Sequence, residues 1–109
     1  LRDPSALFLI AEHKGEFAGQ VRFALDHGTA TLSISVAAEM RGLGAGRIIL
    51  RKALEALEAL YPGTPVLAYV KRENTASRKL FETGGFKKTG EPSAGGSKLY
   101  LYRYPGGKI

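Results

Sequence analysis

The segment from residue 31 to residue 60 constrains the fold of this chain most, because its hydrophobic period changes once and abruptly. In residues 31–36 apolar and polar residues alternate strictly, which is typical of a strand with one buried face. From Gly44 to Leu60 the apolar residues recur every three or four positions, which indicates an amphipathic helix. The apolar stripe of this helix consists of Ile49, Leu50, Ala53, Leu54, Ala56, Leu57 and Leu60. A strand therefore runs through a short glycine-rich segment directly into a long helix.

Shorter patterns on both sides complete the predicted secondary structure. Apolar runs and alternation predict further strands at 7–11, 17–25, 65–70, 86–88 and 98–103, and a second helix from Asn74 to Gly84-Gly85. Two turns, Lys14-Gly15-Glu16 and Asp26-His27-Gly28, connect the first three strands into an antiparallel meander. Residues 91–96 read as a loop. The order β-β-β-α-β-α-β-β predicts an α/β (α+β) fold: a mixed, mostly antiparallel sheet with flanking helices.

Composition limits the classes of protein to which the chain can belong. Its 109 residues predict a single domain over 1–109, and the absence of cysteine excludes disulfides and thiolate metal sites. No stretch has the length of a membrane span or the pattern of a signal peptide, so we expect a cytoplasmic protein with no membrane partner and no metal. The net charge of +6 attracts anions. Because the basic residues are dispersed, we expect no nucleic-acid binding.

The glycine-rich segment, residues 41–46, has the features of an anion site. Glycines let backbone N–H groups approach a ligand closely, and the start of a helix adds unsatisfied donors and partial positive charge. Arg41 and Arg47 could add charged hydrogen bonds to phosphate oxygens. The segment does not match the P-loop pattern, and Arg47 stands where the dinucleotide fingerprint requires its third glycine. A tight turn whose glycines serve only packing is the alternative that these residues leave open.

Two motifs together carry a resemblance to a known family. The first is Arg41-Gly42-Leu43-Gly44-Ala45-Gly46, in which Arg41, Gly44 and Gly46 match the pattern (Gln/Arg)-x-x-Gly-x-(Gly/Ala). The second is the helix from Asn74 that contains Phe81 and closes with Gly85-Phe86. From about Leu7 onward the chain resembles the GNAT superfamily of acyl-CoA-dependent N-acyltransferases. Against that family it lacks the usual N-terminal strand and helices.

The resemblance implies a site for acetyl-CoA as co-substrate, in an opening where two parallel strands splay apart near Val36 and Val70. The implied cofactor-binding residues are Ser35, Val36, Arg41, Gly42, Leu43, Gly44, Ala45, Gly46, Asn74 and Ser77. Backbone at Ser35 and Val36 would bind the pantetheine, the glycine-rich segment would bind the pyrophosphate, and Asn74 and Ser77 would contact the cofactor arm. A helix N-cap explains Asn74 equally well.

The implied reaction is acetyl transfer to a primary amine of a small molecule. The family often places a tyrosine acid where this chain has Phe81, and the strand that ends at Val36 carries no carboxylate, so no catalytic residue is assigned. Residues 19–23, 33–35 and 70–74, with Ser77 and Phe81, resemble bacterial amino-sugar nucleotide acetyltransferases, including those of pseudaminic acid synthesis. A non-catalytic acyl-CoA-binding regulatory module is the alternative. The resemblance is also compatible with a homodimer.

One further pattern lies near the end of the chain. Tyr100, Tyr102 and Tyr104 share one face of the last predicted strand. Aromatic side chains in such a stripe either stack on a base or sugar of a ligand, or cover a neighbouring helix. We expect the second arrangement.

Overall fold

A computed structural model describes residues 6–40, 42, 44–90 and 99–104 of the chain. The strands are β1 (Ala6–His13), β2 (Glu16–Asp26), β3 (Thr29–Val36), β4 (Val66–Lys71), β5 (Lys87–Gly90) and β6 (Leu99–Tyr104), and the α-helices are α1 (Ala45–Leu60) and α2 (Thr75–Thr83). A 3-10 turn, Ala38–Met40, follows β3. The strand order is β1-β2-β3-β4-β6-β5. Only β3 and β4 pair in parallel among the described strands, which confirms the mixed, mostly antiparallel sheet.

The first three strands form the predicted meander. Each hairpin is closed by two residues that both have positive φ, Lys14-Gly15 in the first turn and His27-Gly28 in the second. This turn conformation suits the twist of the flanking strands. The strands are longer than predicted: Glu16 and Asp26, which we assigned to turns, are the first and last residues of β2. Pairing with the neighbouring strand satisfies their backbone groups, so the turns shrink to two residues each.

The pairing between β3 and β4 is short. These strands are in register at Ala30–Val66 and Thr31–Leu67, and the ladder does not continue along the rest of either strand within the described residues. On its other side β4 pairs with β6 through Lys71, and β3 pairs with β2 through Val36. The two central strands therefore diverge toward their carboxyl ends, and a V-shaped opening lies between them.

Both helices cover the same face of the sheet. A single buried cluster joins the inward residues of the strands to those of α1 and α2, and it contains Ala18, Val21, Phe23, Ala30, Leu32, Ile49, Leu50, Ala53, Leu57, Val66, Ala68, Val70, Phe81, Phe86 and Tyr102. The opposite face has no helix among the described residues, and Phe8 and Ile10 are exposed there. Neither described helix is long and apolar enough to cross a membrane.

Further predictions for single residues differ from the structure. Leu60, which we placed in the apolar stripe of α1, is 58% exposed, because the last buried residue of that helix is Leu57 and its final turn extends past the core. Phe86 precedes β5 instead of opening it, and its side chain is buried in the core. Pro65 also lies outside its strand, since β4 begins at Val66.

Candidate active site

The start of α1 is an uncapped helix end. Its N-cap residue, Gly44, has φ of 79°, the left-handed conformation that glycine adopts without strain, and no side chain among the described residues caps the helix. The first helical hydrogen bond runs from the Ile48 N–H to the Gly44 carbonyl at 3.5 Å. The N–H groups of the first turn have no acceptor within the helix and carry the positive end of its dipole. This end of α1 is therefore suited to bind an anion.

Several predicted residues surround this helix end, and two lie outside the described residues. Gly42 is exposed with φ of 81°, and a side chain on Gly42 or Gly44 would point into open space. Ala45 is half-buried and Arg47 is exposed. Arg41 and Leu43 fall outside the part of the chain that the structure describes.

The start of α2 has a different construction. The Asn74 side-chain oxygen accepts a hydrogen bond from the Ser77 backbone N–H at 3.1 Å, so Asn74 is a true N-cap. This is the alternative function that the sequence left open for Asn74. The cap occupies the side-chain oxygen of Asn74, and cofactor contact through the amide NH₂ group and through half-buried Ser77 stays a prediction.

The glycine-rich end of α1, the end of β3 and the side of α2 converge beside the opening. A Cβ atom on Gly46 would lie 3.5 Å from Leu80 Cδ1 and 3.6 Å from Val36 Cγ2. These are ordinary contact distances, so a larger side chain at position 46 would fill the space between the three elements. The structure thus brings Val36, Gly46 and the helix that Asn74 caps to one end of the sheet.

Sequence reasoning missed Gly19 as a determinant of the opening. A Cβ atom at this position would lie 2.5 Å from the Ser35 carbonyl oxygen and 3.3 Å from Val36 Cα, so β2 approaches the end of β3 too closely for any other residue. Ala18, just before it, is the extra residue of a β-bulge against β1, and its carbonyl accepts the Ala37 N–H at 2.8 Å. A lone glycine inside a strand pattern was the available signal.

Phe81, which stands where the family often has its tyrosine acid, belongs to the core. Its side chain is 4% exposed, and its ring contacts that of Phe86 edge-on, with 5.0 Å between centroids. The ring of Tyr102 lies 6.3 Å away on the neighbouring strand. This position therefore supplies packing and no proton.

The tyrosine stripe on β6 covers α2, as expected. The Tyr102 hydroxyl donates a 2.6 Å hydrogen bond to Glu82 Oε2 on that helix. Burial raises the pKa of Tyr102 above its usual value, and the Glu82 carboxylate raises it further, while Arg78 opposes both effects. The Tyr100 ring lies beside three cations, with centroid distances of 4.0 Å to Lys88 Nζ and 4.9 and 5.3 Å to the guanidinium carbons of Arg78 and Arg72.

The helix α2 separates this polar cluster from the opening. Arg78 and Glu82 are four residues apart and share one side of the helix. Leu80 and Gly84, also four apart, face α1: a Cβ on Gly84 would lie 2.8 Å from Leu50 Cδ2. The cluster of Arg78, Glu82 and the β6 tyrosines therefore stabilises the outer side of α2.

Comparison with known proteins identifies the family. The family described as "Acetyltransferase (GNAT) family" matches residues 1–86. The chain belongs to this family. It is accordingly an acyl-CoA-dependent N-acetyltransferase, and a non-catalytic acyl-CoA-binding module is not favoured. A search of curated proteins found no match.

Solved structures of GNAT enzymes share the fold. The ribosomal protein S18 alanine N-acetyltransferase of Escherichia coli superposes with a TM-score of 0.78 at 21% identity, over 99% of this chain and 74% of that one. Campylobacter jejuni N-acetyltransferase PseH, in complex with acetyl coenzyme A, superposes with a TM-score of 0.77 at 18% identity. The match covers 94% of this chain and 70% of that one. Spermidine N-acetyltransferase SpeG of Vibrio cholerae superposes with a TM-score of 0.76 at 22% identity, and the match covers 93% of this chain and 64% of that one. At these identities the likeness extends to the fold alone.

Proposed function

We propose that this chain binds acetyl-CoA in the opening between β3 and β4 and transfers the acetyl group to the primary amine of a small molecule. The observation that supports this most strongly is the combination of two features at one end of the sheet. The parallel ladder stops after two residue pairs, and the uncapped start of α1 lies at the mouth of the resulting opening. A thin, extended thioester arm that ends in a pyrophosphate matches a slot with an anion site at its entrance.

Each predicted residue has a role in this proposal. Backbone groups of Ser35 and Val36 bind the pantetheine as an added strand would. Backbone N–H groups of the segment 41–46 bind the pyrophosphate, and Arg41 adds a charged contact. Asn74 and Ser77 contact the cofactor arm from α2. The residues fit the group because α1 leaves its first donors without a capping side chain among the described residues.

The acceptor that we propose is the amine of an amino-sugar nucleotide. The support is the resemblance of residues 19–23, 33–35 and 70–74 to enzymes that acylate such substrates. The net charge of +6 also favours an acceptor that carries phosphate. An alkyl ammonium with a pKa of about 10.4 must lose a proton before its nitrogen can attack a carbonyl carbon. Neither β3 nor β4 carries a carboxylate, and we propose that a chain of water molecules carries that proton.

Calorimetric titration with acetyl-CoA tests the cofactor site. The Arg41→Ala, Gly44→Asp double variant removes a cation and places a carboxylate at the start of α1. We expect binding in the micromolar range by the wild-type chain and a loss of at least about tenfold in the variant, which is about 1.4 kcal/mol. Gly28→Asp is the matched control, because Gly28 and Gly44 share φ of 79° and both have open space where a side chain would go. No binding by a folded wild-type chain would contradict the proposal.

The acceptor is tested separately by acetylation of an amine panel. The panel contains a UDP-linked amino sugar, the same amino sugar without its nucleotide, spermidine and a peptide with N-terminal alanine. We expect the highest kcat/KM with the UDP-linked sugar. A preference for any other member would contradict the proposed acceptor and leave the cofactor site standing.

A further inference from the structure

The opening between β3 and β4 has one phenol at its edge, on the face of the sheet that the helices do not cover. Burial alternates along β4: Ala68 and Val70 point into the core, whereas Tyr69 points to the opposite face and is 48% exposed. Leu67, two residues earlier, is the last residue of β4 that pairs with β3. Tyr69 is thus the first side chain on this face beyond the point where the strands separate.

The opposite edge of the opening carries smaller hydroxyl groups. Thr31 pairs with Leu67, so Ser33 and Ser35 share its face of β3 and are exposed there. A phenol is a much stronger acid than the alcohol of serine. Lys71 lies on the same face as Tyr69, is exposed, and adds a positive charge at the end of β4. This edge of the opening therefore combines the stronger acid with a cation.

The other four tyrosines are committed elsewhere or lie far away. Tyr102 is fully buried and donates to Glu82, Tyr104 packs on Phe86 with 5.2 Å between ring centroids, and Tyr100 is in contact with three cations. Tyr61 follows the last residue of α1, about 24 Å along the helix axis from its start at a rise of 1.5 Å per residue. Phe81 has no hydroxyl. Tyr69 is the phenol that borders the opening.

We propose that Tyr69 is the general acid of the reaction and protonates the sulfur of the leaving coenzyme A. This inference rests on the proposed function, since it requires the thioester to lie in the opening. The amine nitrogen forms a bond to the acetyl carbon, and the carbon–sulfur bond breaks. The sulfur takes the proton of the Tyr69 hydroxyl. The Tyr69 oxygen recovers a proton through water from the nitrogen that has become an amide, so no net proton is gained or lost by the side chain.

The chemistry of a phenol favours an acid over a base as the role of Tyr69. A base for the attacking amine must accept a proton before the bond forms, and a neutral phenol is a poor acceptor. The leaving sulfur instead develops negative charge, which an O–H donor stabilises, and the Lys71 charge acts in the same direction. Position 81 lies on the helix-covered face of the sheet and Tyr69 on the opposite face, so this hydroxyl approaches the opening from the other side.

The test compares Tyr69→Phe with the wild-type chain and with Tyr61→Phe as the matched control. Tyr61 is 37% exposed, so the control removes a phenolic hydroxyl from a surface position remote from the opening. Acetyl-CoA affinity is measured by calorimetry. Steady-state kinetics uses the panel amine with the highest wild-type rate, in H₂O and in D₂O.

We expect kcat of Tyr69→Phe to fall about 100-fold, the usual effect of losing an acid catalyst. The dissociation constant for acetyl-CoA and the KM values should change less than twofold. The part of the solvent isotope effect on kcat that comes from proton transfer by the Tyr69 hydroxyl should disappear. Tyr61→Phe should match the wild type. An active wild type with unchanged kcat in Tyr69→Phe would overturn the inference, as would a loss confined to KM. A wild type that neither binds acetyl-CoA nor acetylates any panel amine would overturn the proposed function instead.

Discussion

The two helices of this fold begin in opposite ways. The N-terminus of α2 is closed by Asn74, whose side chain accepts the Ser77 N–H at 3.1 Å. The N-terminus of α1 is open, since Gly44 has no side chain to offer and the first helical hydrogen bond is long, at 3.5 Å. A capping side chain such as that of asparagine stabilises a helix by only about 0.3 kcal/mol relative to glycine at the same position. The chain therefore forgoes local stability at α1 and retains it at α2.

The difference is explained by what each helix end faces. The start of α1 follows β3 directly and lies beside the opening, where unsatisfied N–H groups can bind a ligand. The start of α2 follows β4 after a short turn, and its polar outer side is tied to β6 by the bond between Tyr102 and Glu82. The open start of α1 is suited to binding, whereas the outer side of α2 stabilises the fold, and substitutions can test this difference.

The largest expected effect comes from filling the space beside the start of α1. Gly46→Leu places a branched side chain between Val36 and Leu80, where even a Cβ atom lies at 3.5–3.6 Å from its neighbours. We expect the acetyl-CoA dissociation constant to rise about 100-fold, or about 2.7 kcal/mol, in a calorimetric titration. Gly46→Ala is the matched control, because its Cβ makes only ordinary contacts and should leave the affinity within a few fold. Equal affinities of the two variants would place the ligand elsewhere.

An intermediate effect separates the two functions suggested for Asn74. Asn74→Ala removes the cap and should lower the free energy of unfolding by about 1 kcal/mol, whereas Asn74→Ser keeps a capping oxygen and should lower it by less. Denaturant titration gives both values. If the amide NH₂ group also contacts the cofactor, both variants lose acetyl-CoA affinity by a similar factor of about five. If Asn74→Ser instead keeps nearly the wild-type affinity for acetyl-CoA and only Asn74→Ala loses it, Asn74 serves as a cap alone.

The sequence was sufficient to predict the strand-to-helix unit and the packing of the β6 tyrosines against a helix, and both predictions succeeded for the same physical reason. Both depend on side-chain periodicity, which a single sequence displays directly. The splay near Val36 and Val70 was expected only through the family resemblance. The need for glycine at position 19 depends on a backbone atom of a different strand, Ser35 O, which no local pattern reports. The prediction that Leu60 belongs to the buried stripe was wrong, because the helical periodicity continues to the end of α1 while the core ends at Leu57.

The smallest expected effect is on stability alone and concerns the outer side of α2. Tyr102→Phe removes the hydrogen bond to Glu82 and should lower the free energy of unfolding at pH 8 by about 1 kcal/mol, without changing acetyl-CoA affinity. The folded-state pKa of Tyr102 is raised by burial and then by Glu82, so the unfolded chain ionises first as pH rises. The stabilisation by the hydroxyl is therefore complete below the unfolded pKa of about 10 and declines above it.

Denaturant titrations at pH 8 and pH 11 measure this decline as the stability difference between wild type and Tyr102→Phe. We expect the difference to shrink at pH 11, because the raised pKa of Tyr102 leaves a smaller fraction of the phenol ionised in the folded state than in the unfolded state. Glu82→Gln is the informative control, since it keeps a hydrogen-bond acceptor but removes the carboxylate that helps to raise the pKa. In that background the shrinkage should be smaller. A difference independent of pH would mean that Tyr102 has the same pKa in the folded and unfolded states. The contact between the Tyr102 and Phe81 rings, and not the hydrogen bond to Glu82, would then hold α2 against β6.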